Sequence, residues 1–229
     1  MQQQIHPLLS PSLGTQRQLV SWHFGPADAG RKVYIQASLH ADELPGMLVA
    51  DHLRGLLQAA EARGDLRGEV VLVPMANPIG LSQTLMHHQV GRFELGGMEN
   101  FNRHYPDFFA LVKDVVADQL GPDAEVNKRL IRAAMGQALD AQKPATELQS
   151  QRQVLMKLSH DADLVLDLHC DYEAVMHLYV EQPMIEQIAP LARYLGARAL
   201  LWARGSGPLI SFDEALSGPW WRLQEHFRG

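Results

Sequence analysis

Three short runs, Val33-Tyr34-Ile35-Gln36-Ala37, Val70-Val71-Leu72-Val73 and Leu164-Val165-Leu166-Asp167-Leu168, constrain this chain more than any other feature. The first is rich in strand-forming residues. The other two are the near-continuous apolar stretches of strands covered on both faces. Between them the period changes to that of helices. After Pro45, the residues Val49, Leu53, Leu56, Leu57 and Ala60 share a helical face, and Gly64 supplies a stop. Between 107 and 160 three more helical segments follow, with a break at Gly121-Pro122-Asp123. A strand from His177 to Val180, a helix through Ile185, Ile188, Ala192 and Leu195, and a strand at Ala199-Leu200-Leu201-Trp202 continue the alternation. Strands alternating with helices predict an α/β fold in three layers, a mixed and mostly parallel sheet flanked by helices. No repeat or linker divides residues 1–229, so one domain is expected. Residues 1–30 offer only a strand near Gln18–Phe24; after the turn signal Asn77-Pro78-Ile79-Gly80, the Gly-, His- and Asn-rich stretch to Pro106 reads as a long loop of the kind that carries function.

The strand ends matter because open α/β sheets bind ligands beyond the carboxyl ends of their strands. The first strand runs into Leu39-His40-Ala41-Asp42-Glu43-Leu44-Pro45-Gly46, and the third delivers His169. Zinc takes imidazole and carboxylate ligands, and a catalytic site uses three while leaving a position open. His40, Glu43 and His169 supply two imidazoles and a carboxylate. Taken alone, a His-x-x-Glu tetrapeptide is a weak signal and a strand-end histidine is commonly structural; the two together at matching strand ends favour a metal. Asp167 or Asp171 beside His169 could orient its ring. In Asn100-Phe101-Asn102-Arg103-His104-Tyr105-Pro106, the pair Asn102-Arg103 suits capture of a carboxylate, since arginine offers a planar fork of donors; its alternative is a loop arginine tying down carbonyls. Arg92 is a second cation able to polarise a carbonyl, or a plain surface residue.

Other classes of function find no support. With 26 acidic against 20 basic residues and a net charge of −6, the chain shows no electrostatic footprint for nucleic acid or an anionic membrane surface. Its one cysteine, Cys170, excludes an intrachain disulfide and a cysteine-based zinc cluster, in keeping with a cytoplasmic location; it is expected to be a buried, inert thiol. No stretch approaches the roughly 20 apolar residues of a membrane span. His87-His88 lies in the loop without a strand to fix it, and Gly205-Ser206-Gly207-Pro208 lacks the lysine of a phosphate loop.

The set His40-x-x-Glu43, Asn102-Arg103 and a strand-end His169 about 130 residues after His40 resembles the zinc carboxypeptidase-like superfamily. The compact His40–Gly46 turn, Asn77-Pro78-Ile79-Gly80 and Glu99-Asn100-Phe101-Asn102-Arg103 most resemble its succinylglutamate desuccinylase/aspartoacylase branch, over roughly residues 30 to 220. The resemblance implies a zinc hydrolase of an amide bond next to a carboxylate, which removes the acyl group from a small acidic N-acyl amino acid. His40, Glu43 and His169 would hold one Zn2+, Asn102 and Arg103 the substrate carboxylate, and Arg92 would help polarise the carbonyl. A carboxypeptidase acting on peptides and a metal-binding fragment without turnover are the alternatives. The family's general-base glutamate lies on a late strand, after the region matching Ser211-Phe212-Asp213-Glu214-Ala215. Here Trp220–Arg228 reads as an amphipathic helix and no such strand follows. The expectation is a catalytic-domain fragment lacking its last strands, its base and a C-terminal β domain, with Glu214 and Glu225 as poor substitutes for the base.

Overall fold

A computed structural model describes residues 1–205 and 207–227. Ser206, Arg228 and Gly229, and with them part of the Gly205–Pro208 turn, lie outside the described residues. In chain order the elements are β1 (Gln2–Pro7), β2 (Gln18–Phe24), β3 (Lys32–Ala37), α1 (Pro45–Ala62), β4 (Glu69–Val73) and the four-residue α2 (Pro78–Leu81). There follow β5 (Thr84–Leu85), β6 (His88–Gln89), α3 (Phe108–Val116), α4 (Ala124–Ala141), α5 (Glu147–Ser159) and β7 (Leu164–Leu168). The chain then forms β8 (His177–Glu181), α6 (Ile185–Tyr194), β9 (Ala199–Ala203) and α7 (Phe212–His226).

The main sheet has the order β1-β2-β4-β3-β7. β3 pairs in parallel with both β4 and β7, whereas β2 runs antiparallel to β4 and to β1. β8 and β9 form a separate parallel pair instead of extending the sheet, so three of these five pairings are parallel. The fold is the expected α/β architecture. Because side chains alternate along a strand, β3 sends Tyr34 to one face and Ile35 and Ala37 to the other. Tyr34, Val71 and Val73 pack with Phe108, Val112, Met135, Leu155 and Phe212 of the helical layer. On the opposite face Ile35, Ala37, Leu72 and Phe24 pack with Ala50 of α1.

Two local expectations change. The helical face read into α1 is rotated, for Val49 and Leu56 are 54% and 67% exposed while Gly46 and Ala50 are buried. The helix is seated by its smallest residues: a Cβ on Gly46 would stand 3.1 Å from the Leu168 carbonyl oxygen, so the close approach of α1 to β7 selects glycine. The terminal helix begins at Phe212 instead of Trp220, opened by a capping box in which Ser211 and Glu214 satisfy each other's backbone N–H groups.

Candidate metal centre

His40 and His169 meet because of strand register. Ala37 of β3 is paired with Leu168 of β7, so the residues that follow these two ends emerge side by side. Beyond Ala37 the chain breaks direction at Ser38, whose φ of 65° lies in the left-handed region. The turn that follows is fixed from two sides. Asn77 Nδ2 donates to the Leu39 carbonyl at 2.8 Å, and Ala41 N donates to the Gly91 carbonyl at 2.9 Å. A Cβ on Gly91 would collide with the backbone of Ala41 and Asp42, so only glycine lets this strap lie so close. Glu43 N donates to the His40 carbonyl at 3.1 Å, closing the turn just before Pro45 starts α1.

The side chains converge. One ligand atom from each of His40, Glu43 and His169 lies within 4.8 Å of the others. Both imidazoles turn Nδ1 toward the same carboxylate, His40 at 3.0 Å from Oε1 and His169 at 2.8 Å from Oε2. Their Nε2 atoms face away, toward Asn100 Oδ1 at 3.0 Å and Asp167 Oδ2 at 2.8 Å. The Asn100 oxygen is identified by its second partner, the Asn102 N–H at 2.8 Å, since only an acceptor can take a backbone N–H. His40 Nε2 must therefore donate, and in the neutral ring Nδ1 keeps its lone pair. A bare Nδ1 and a carboxylate oxygen 3.0 Å apart repel unless a cation lies against both.

Positive charge does lie there. Arg92 Nη1 donates to His40 Nδ1 at 2.9 Å and to Glu43 Oε1 at 3.4 Å. Burial alone would push the His169 imidazole down, but Asp167 and Glu43 outweigh it and hold the pKa well above the usual histidine value. Burial would likewise raise the Glu43 carboxyl; the hydrogen bond from His169, the contact with His40 and the hydrogen bond from the Cys170 N–H instead leave it far below the usual carboxylate range. Once His169 Nδ1 gives up its proton to make room for a cation, the donor set is two imidazoles and an ionised carboxylate, held by outer partners that leave Nδ1 directed inward. It fits a divalent metal.

The loop with the remaining candidates packs beside this cluster. Phe101 is fully buried and anchors it. Asn102 Oδ1 accepts from Phe212 N at the start of α7 at 2.8 Å, so its amide NH2 remains as a donor pair. Arg103 Nη1 donates to the Asn102 carbonyl at 2.6 Å, which leaves the other guanidinium nitrogens for a ligand. Arg152, from α5, donates to Glu99 Oε2 at 2.8 Å and to the Asn100 carbonyl at 3.3 Å.

Of the two aspartates flanking His169, Asp167 is the one on its ring, while Asp171 approaches His177 at 3.4 Å. Cys170 is half-buried, not fully buried, and its backbone N–H donates to Glu43 Oε2 at 2.9 Å. Burial and the Glu43 charge push its thiol up, away from nucleophilic use. Glu214 serves the capping box and Glu225 pairs with Arg204, so both have structural partners. His87 and His88 fall in the tight β5–β6 hairpin, where His87 has a φ of 68°. Sequence reasoning missed Gln36, Tyr34 and Arg152. Of these only Gln36 left a signal, as a polar residue inside a β-rich run.

Residues 29–203 match the catalytic-domain model of succinylglutamate desuccinylase/aspartoacylase. The chain belongs to this family. Among solved structures, a family protein from Shewanella amazonensis is 28% identical with a TM-score of 0.80, and one from Shewanella frigidimarina is 25% identical with a TM-score of 0.83. Each match covers 98% of this chain; the chain spans 60% and 59% of those two relatives. A metallopeptidase from Shewanella denitrificans shares the fold at 19% identity and a TM-score of 0.50, over 93% of this chain and 70% of its own. No curated protein matches the chain. No helix among the described residues is long and apolar enough to cross a membrane.

Proposed function

We propose that this member of the family is the catalytic domain of a zinc-dependent hydrolase that cleaves the amide bond of an N-acyl amino acid, next to its carboxylate. The observation that carries the proposal is the convergence of His40, Glu43 and His169, each imidazole held from behind at Nε2. Bound there, zinc would supply a Lewis acid and an activated water. This chain's own residues do the rest. Asn102 and Arg103 bind the substrate carboxylate through their uncommitted N–H donors. Arg92, half-exposed beside the cluster, donates to the carbonyl oxygen as negative charge develops on it. Asn100 and Asp167 hold the two rings so that no reorientation is needed on binding. Glu214 and Glu225 are committed to the capping box and to Arg204, and neither is assigned the general base.

The test compares N-acylated amino acids bearing a free carboxylate with the same compounds capped as amides, and with C-terminal dipeptides, on the zinc-loaded protein. The proposal expects the free acyl amino acids to bind, with turnover or as competitive ligands, and capping or Arg103→Ala to abolish binding. Preference for dipeptides would replace the deacylase with a carboxypeptidase. Equal binding of capped and free compounds would remove the carboxylate-binding role.

A further inference from the structure

The hydrogen bond that holds His169 is the last of a chain that starts in the core. Tyr34 is fully buried on β3, and its hydroxyl donates to Gln36 Oε1 at 2.8 Å. Gln36 is fully buried too, and its Nε2 donates to Asp167 Oδ1 at 3.0 Å. The two residues are register partners across the parallel β3–β7 pairing. The other Asp167 oxygen takes His169 Nε2–H at 2.8 Å. Every link has one direction. An ionised carboxylate only accepts, so the Gln36 amide must present nitrogen to it, and its oxygen is then left to accept from the phenol.

A fully buried glutamine is costly in a sheet core unless its amide is paired. The pairing it makes serves Asp167. An unheld carboxylate could rotate about its side-chain bonds, and the His169 ring could then turn and exchange Nδ1 for Nε2. We propose that Tyr34 and Gln36 are positioning residues of the metal centre: through Asp167 they fix the His169 ring with Nε2 bound and Nδ1 directed at Glu43. This rests on the metal-centre reading above. The two residues touch neither metal nor substrate. Their effect is to remove orientational freedom from one ligand, and it stops at that ligand, because the His40 ring is held by Asn100 from a different loop.

The test uses the full chain, Gln36→Met, which keeps the volume and loses both hydrogen bonds, and Tyr34→Phe. Zinc affinity is measured by competition with a chromophoric chelator, and solvent exchange of the His169 and His40 ring N–H protons by NMR on the metal-free protein. Gln36→Met is expected to weaken zinc binding by up to about 10-fold, less than the roughly 10–100-fold that loss of a ligand's direct outer partner costs. It should speed exchange at His169 while leaving His40 as in the wild type; Tyr34→Phe should move both readouts the same way by less. A merely structural role would disturb both histidines or neither. A folded Gln36→Met with zinc affinity within about twofold of wild type and unchanged His169 exchange overturns the proposal. If Gln36→Met does not fold, Tyr34→Phe decides by the same criteria. If the wild-type chain binds no zinc, the metal reading fails, and exchange at His169 in the metal-free protein still decides whether these residues hold the ring.

Discussion

The two histidines of the centre end neighbouring regions of structure but are secured in different ways. His169 follows β7, and its ring is held by a charged carboxylate that is itself tied into the sheet by Gln36 and Tyr34. His40 sits in a turn strapped by Asn77 and Gly91, and its ring is held by the neutral amide of Asn100, on the loop that also carries Asn102 and Arg103. One half of the centre is an extension of the core, and the other half is shared with the loop that carries the proposed carboxylate-binding residues. The difference teaches which changes should act on metal alone and which should act on metal and substrate together.

The largest contrast should come from removing the two anchors. A hydrogen bond to a charged group contributes about 1.5–3 kcal/mol, against about 1 kcal/mol for a neutral pair. Asp167→Ala is therefore expected to weaken zinc binding by about 100-fold and Asn100→Ala by about 10-fold, within the range known for such partners. Only Asn100→Ala should also weaken binding of an acyl amino acid at saturating zinc, because Asn102 N–H loses its acceptor as well. Equal effects of the two changes on metal and on substrate, by chelator competition and ligand titration, would erase the distinction. A smaller effect is expected from Arg152→Met, which releases the Asn100 carbonyl and Glu99 from α5. Amide exchange should accelerate across residues 93–103 and remain unchanged in β3 and β7; acceleration in the strands would show that the two halves are one unit.

What the sequence revealed follows the same division. The convergence of His40, Glu43 and His169 was legible because strand ends in a parallel sheet have predictable neighbours, and Ala37 opposite Leu168 is that rule at work. Asn102 and Arg103 were legible as residue types, but the anchoring roles of Asn100 and Arg152 were not, since they depend on how a long loop folds against α5. β1 escaped notice because it is an edge strand whose Gln2–Gln4 start is exposed or half-buried and gives no apolar run. The α1 face was misplaced for a related reason: Gly46 and Ala50 carry little hydrophobic signal, yet small residues are what a close helix–strand contact requires.

The smallest predicted effect lies at the far end of the same strand pair. Asp163 accepts from Lys32 N at 2.9 Å and from Arg132 at 2.9 Å. Partial burial would raise its carboxyl, but these partners outweigh that and lower it below the usual aspartate value. A depressed folded-state pKa contributes stability that is present above the unfolded value and is lost as pH falls through the folded one. Asp163→Asn should therefore lower the thermal midpoint slightly at neutral pH and make the acid limb of the stability profile shallower. An acid limb identical to wild type would contradict this.

The central claim is that His40, Glu43 and His169 form one metal site. It is tested most directly by measuring bound zinc per chain after equilibration and dialysis, for the wild type and for Glu43→Gln, which removes the carboxylate charge between both rings. The account predicts one zinc per wild-type chain and a loss in the variant larger than the roughly 10–100-fold typical of outer partners. A wild-type chain that retains no zinc, or a Glu43→Gln chain that retains it with unchanged affinity, would contradict the account.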